Sequence, residues 1–115
     1  MARYTCSFIV SVPPEHLQVL IIQLLQHCDL DVQYYTPDYI MAREKSGNIS
    51  FSKLVVAEVL IDRSTATDTE TRISIVIKNE ELPLQINNHC QQMFAFIKQA
   101  IEHSRNWHLI EILAG

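Results

Sequence analysis

The side chains that could carry chemistry in this chain are five histidines, three cysteines and thirteen carboxylates, and their spacing decides among the possible reactions. His16, His27, His89, His103 and His108 never stand at i and i+4 on a predicted helix, so none forms the pair that an HExxH helix presents to zinc. Each reads as a solvated or hydrogen-bonded histidine. His89 beside Cys90 suggests a nucleophile and its base. Neighbouring helical residues, however, point about 100° apart, and Cys90 falls on the apolar stripe of its helix, so an inert packed thiol is expected. Asp62, Asp68 and Glu70 flank the hydroxyl-rich segment Ser64–Thr67 and could offer oxygens to a hard cation, but the spacing matches no calcium loop. A solvated hairpin end is the simpler reading.

Gly47 and Gly115 are the only glycines. Loops that cradle phosphate need several, because backbone N–H groups converge on an anion only where side chains do not obstruct them. P-loop, Rossmann and GxSxG chemistry is therefore excluded. The expectation is a chain with no catalytic residues, no metal and no cofactor.

Net charge and composition narrow the partners. A formal charge of −4 and a pI near 5.6 supply no positive field for a phosphate backbone, so nucleic acid is not expected. The longest apolar stretch, Leu17 to Leu25, falls far below the ~20 residues that span a bilayer. The N-terminal residues run straight into strand alternation instead of a secretory leader. Cys6, Cys28 and Cys90 are odd in number and widely spaced, which suits reduced thiols and a cytoplasmic location.

The elements that must position these residues follow from periodicity. Tyr4 to Val12 alternates as a strand, with Tyr4, Cys6, Phe8, Val10 and Val12 on one face. Pro13-Pro14-Glu15 suits a helix start, and Leu17, Leu20, Ile21, Leu24, Leu25 and Cys28 then form a helical stripe. Leu30–Tyr35 and Tyr39–Glu44 read as a hairpin around Thr36-Pro37-Asp38. After the loop Lys45-Ser46-Gly47-Asn48, Phe51–Asp62 is expected as one long strand with Val55, Ala57, Val59 and Ile61 inward, and Glu70–Lys78 as its partner. Asn79 to Pro83 breaks the strand, and Ile86, Cys90, Met93, Phe94, Ile97 and Ile101 mark a second helix running to about Ser104. The tail Trp107–Leu113 is apolar enough to dock, as a strand or as a helical turn.

These elements predict one α+β domain over residues 1–115, an antiparallel sheet of about five strands packed on two helices, with 106–115 as a docked tail. The order strand, helix, four strands, helix from Tyr4 to Ser104 resembles one half of a TATA-binding-protein-like fold. That family uses two halves and basic strands on DNA; this chain has one copy and a negative charge, so the resemblance implies architecture and no DNA binding. The stretch Tyr34-Tyr35-Thr36-Pro37-Asp38-Tyr39-Ile40, with the amide-rich helices, is similar to small bacterial proteins of cyanobacterial type, a likeness that carries no activity.

What stands out is apolar surface in excess of one core. No Asp, Glu, Lys or Arg occurs between Glu15 and Asp29 or between Glu81 and Lys98. Val19 and Ile22 lie off the first helical stripe and Phe96 at the edge of the second, the mark of a contact surface or of a mildly polar exposed face. On the sheet, the parity that turns Glu58 and Arg72 outward turns Leu54, Val56, Leu60 and Val76 outward with them, joined by Ile9. The expected function is therefore a binding or assembly domain acting through protein–protein contacts, as a homo-oligomer or with a protein partner, with Leu54, Val56, Leu60, Val76, Val19 and Ile22 at the interface. The competing readings are coverage of the sheet by the chain's own tail, and a carrier of a small apolar ligand with a sheet–helix pocket lined by Tyr4, Phe8, Tyr39 and Met41.

Overall fold

The computed structural model describes residues 1–47, 49–82 and 88–114. Asn48 of the expected loop, Pro83 of the strand break, Ile86 of the second helical stripe, Asn87 and Gly115 lie outside them.

The elements are β1 (Ala2–Val10), α1 (Pro14–His27), β2 (Leu30–Thr36), β3 (Tyr39–Glu44), a 3-10 turn (Phe51–Lys53), β4 (Val56–Asp62), β5 (Thr71–Asn79), α2 (His89–Glu102) and β6 (Leu109–Ala114). Among the described residues, six strands join one antiparallel sheet in the order β2-β3-β4-β5-β1-β6. This is the α+β architecture read from the sequence, with six strands where about five were expected. The sixth is the tail. Periodicity alone left its conformation open; pairing with β1 makes it a strand, with a bulge at Ile110 where the register slips.

The helices cover one face of the sheet, α1 over β2, β3 and β4, and α2 over β1 and β5. Between the layers lie Phe8, Val10, Leu17, Ile21, Leu25, Ile40, Val59, Ile73, Ile75, Ile77 and Ile97, all buried. Pro14 opens α1 at a position whose N–H needs no partner, and Glu15 sits in its first turn. α1 ends through Asp29, whose φ of 64° places it in the left-handed region. α2 starts at Asn88, whose side chain accepts a hydrogen bond from the Gln91 N–H. Trp107 closes the end of the core, its indole N–H donating to the Ile101 carbonyl at 3.0 Å.

One strand is shorter than its alternation implied. β4 begins at Val56, and Phe51–Lys53 forms the 3-10 turn, which Leu54 ends by donating to the Phe51 carbonyl. The cause is polar capture next door. The Asn79 side-chain amide donates to the Lys53 carbonyl at 2.9 Å, and the Glu80 N–H donates to the Ser52 carbonyl at 3.2 Å. The backbone at 52 and 53 is thereby tied to the end of β5 outside any ladder.

Candidate interaction surface

Strand register builds the helix-free face row by row. Across β3, β4, β5 and β1, one row runs Arg43, Val56, Lys78, Arg3, and the next runs Met41, Glu58, Val76, Thr5. A third runs Tyr39, Leu60, Ser74, Ser7 and continues into β6 at Leu113. A fourth runs Asp62, Arg72, Ile9 and Glu111. Apolar and polar groups thus alternate in two dimensions. Leu60 is 50% exposed, while Val56, Val76, Ile9 and Met41 are half-buried by their neighbours.

A charged knot sits in the middle. Glu58 accepts from Lys78 Nζ at 2.6 Å and from the Tyr39 hydroxyl at 2.6 Å. These two donors, Lys78 first, hold the Glu58 carboxyl below its ordinary range despite partial burial. The bond to Glu58, with lesser desolvation, pushes the Tyr39 phenol up to about 12. Beside the knot, the Ser7 and Ser74 hydroxyls meet at 2.8 Å across β1 and β5. A protein surface of this kind offers apolar contact together with a fixed set of hydrogen-bonding groups that only a matched partner can replace.

Of the residues predicted for an interface, Val56, Leu60 and Val76 share the open face, as parity required. Leu54 does not stand in their strand; it ends the 3-10 turn at the rim, because the ladder starts two residues later. Val19 and Ile22 belong to α1, on the opposite side of the sheet, so the six residues make two surfaces and not one. Val19 is 55% exposed there, while Ile22 packs against the core. Tail coverage does not occur, since β6 extends the sheet sideways instead of folding over it.

The predicted ligand pocket is not assembled. Tyr4 and Phe8 point to the helices: Phe8 is fully buried, and Tyr4 stacks on Phe94 with centroids 5.6 Å apart. Tyr39 and Met41 pair with Leu60 and Glu58 on the other face. The sheet backbone lies between the two pairs, so no shared cavity can form.

A second polar cluster anchors α2, and sequence reasoning missed it. Glu81 is buried, and its carboxylate accepts from the Asn79 side-chain amide at 2.6 Å, the Cys90 N–H at 2.9 Å and the His89 N–H at 3.2 Å. Burial raises its pKa, but these three donors and the neighbouring His89 outweigh burial and leave the carboxyl below its ordinary range. Glu44 holds the other side. It receives His89 Nε2 at 2.8 and 2.9 Å and the Val55 N–H at 3.1 Å. The signal available was a carboxylate placed just after a strand and ahead of a helix whose first turn carries no acid of its own.

Burial, then the charge of Glu81, pushes the Cys90 thiol up to about 11, and its sulfur lies 3.4 Å from the Ile77 carbonyl, so it is held as a thiol. Asp62 spends both oxygens on its own loop, accepting from the Ser64 hydroxyl at 2.6 Å and the Thr65 hydroxyl at 3.0 Å. Those contacts lower its pKa and close the loop as an Asx-type turn. Among the described residues, no helix is long and apolar enough to cross a membrane.

No protein-family model, curated protein or solved structure matches this chain. The likeness of element order to a TATA-binding-protein half is therefore joined by no such match.

Proposed function

We propose that this protein is a non-enzymatic binding and assembly domain that associates with a second copy of itself, or with a protein partner, through the helix-free face of its sheet. The observation that carries the reading is the composition of that face. Leu60, Val56, Val76, Ile9 and Met41 stand on neighbouring strands around the Tyr39–Glu58–Lys78 knot, and no described segment of the chain covers them. Apolar groups interleaved with paired polar ones on a rigid sheet lose water on docking at a small cost in side-chain ordering. The negative net charge argues against nucleic acid, and the reading needs no cofactor and no membrane. A reducing cytoplasm is the matching compartment, because all three cysteines are free and buried.

Sedimentation velocity tests this directly. The wild-type protein is expected as a dimer at micromolar concentration, and Leu60→Lys, which alters an exposed side chain, should shift it to monomer with its circular dichroism unchanged. A wild-type chain that stays monomeric at ~100 µM, corresponding to weaker than ~5.5 kcal/mol of association, and that retains no protein on pull-down from its own cells would overturn the proposal.

A further inference from the structure

We propose that the end of the open face between β3 and β5 binds a small carboxylate with an apolar body, at the edge of the surface proposed above for protein contact, so that ligand and partner compete for Val56. A pocket of about 200 Å³ opens there, lined by Met1, Phe51, Leu54 and Val56 together with Arg43 and Lys78. Asn79, Ser52 and Glu80 complete its wall. Its volume is below the ~300–1,000 Å³ of sites for drug-sized ligands, which sets the occupant at roughly the size of a single substituted ring.

Three features fix the chemistry. The first is the 3-10 turn: Leu54 ends it two residues ahead of β4, which sets Phe51 and Leu54 in the pocket wall beside Val56, the first residue of that strand. The second is register. Arg43 and Lys78 are the two cross-strand neighbours of Val56, so two cationic side chains flank one apolar floor residue. The third is the state of those cations. Lys78 is already engaged by Glu58, whereas Arg43 forms no ion pair among the described residues. A guanidinium with free donors presents the fork that a carboxylate fits in bidentate fashion.

The Asn79 amide is committed to Lys53 and Glu81, and Glu80 is exposed at the rim. An anionic head on Arg43 with an apolar body against Val56, Leu54 and Phe51 satisfies both halves of the site. A neutral apolar molecule would leave Arg43 unmatched, and a fully polar anion such as inorganic phosphate would desolvate the apolar wall without filling it.

Phenylacetate is the probe, titrated into the uniformly ¹⁵N-labelled protein and followed by amide chemical shifts, with 2-phenylethanol, phenethylamine and inorganic phosphate as comparisons. Phenylacetate should give saturable shifts confined to residues 43, 52–56 and 78–80, and the three comparisons none. Arg43→Gln should weaken binding on the order of tenfold, the loss of one charge-assisted contact. Phe51→Ser should weaken it several-fold. Both positions are exposed, and the spectra themselves report that the fold is kept. The proposal fails if phenylacetate produces no saturable shift, or if 2-phenylethanol matches it and Arg43→Gln leaves its affinity unchanged.

Discussion

Glu81 anchors the start of α2, and its removal has a loss that can be worked out bond by bond. In Glu81→Ala, the Asn79 amide keeps the Lys53 carbonyl at 2.9 Å, so it is not orphaned. The Gln91 N–H keeps Asn88 Oδ1 at 3.2 Å. The Cys90 and His89 N–H groups lose their acceptor. The bond to Cys90 is buried and the one to His89 is partly exposed, so the first bears the full penalty of ~1–3 kcal/mol and the second is partly rescued by water. The sum is roughly 2–4 kcal/mol, a large share of the ~5–15 kcal/mol that holds a domain of this size together. Thermal unfolding followed through Trp107, the sole tryptophan, should show a midpoint lower by roughly 10–20 °C. Glu81→Gln keeps one carbonyl acceptor and should fall between variant and wild type. The pH dependence supplies a second readout. Because the folded carboxyl titrates below its ordinary value of 4.5, its contribution is complete above that value and is lost as the pH falls through the depressed folded one. The gap between wild type and Glu81→Ala must therefore be widest near neutrality and narrow in acid. A variant within ~0.5 kcal/mol of wild type at pH 7, the range of ordinary surface changes, would refute this account of the helix start.

Ultraviolet titration should find one of the four tyrosines ionising at about 12, and in Glu58→Gln that phenol should move down toward its ordinary value of 10. Asp29→Gly should stabilise the protein by ~0.5–1 kcal/mol, seen as a higher denaturant midpoint, because the left-handed backbone at that position strains any residue with a Cβ. Cys90, buried and held as a thiol, should react with iodoacetamide at pH 8 only at the rate of unfolding, so rapid native labelling would contradict its placement.

The sequence by itself determined the helices, the hairpins and the face of nearly every strand, because burial on one side of a sheet forces a period of two and on a helix a period near 3.6. Tyr39–Glu44 is a strand with the predicted bounds, and Val56, Leu60 and Val76 face where parity places them. Periodicity is a local property, and what it could not reach was decided by contacts between distant segments. The tail from Leu109 is a strand only because β1 offers it a ladder, and Phe51–Leu54 leaves the strand pattern only because Asn79 and Glu80 hold its backbone. Which side of the sheet a residue shares with another was equally a matter of register. A single pocket lined by Tyr4, Phe8, Tyr39 and Met41 requires all four on one side, and pairing sends Tyr4 and Phe8 to the face opposite Tyr39 and Met41. Periodicity marks neither Glu81 nor Glu44 as an anchor; the fold buries the first and half-buries the second against the start of α2, where backbone N–H groups and an imidazole offset the loss of water.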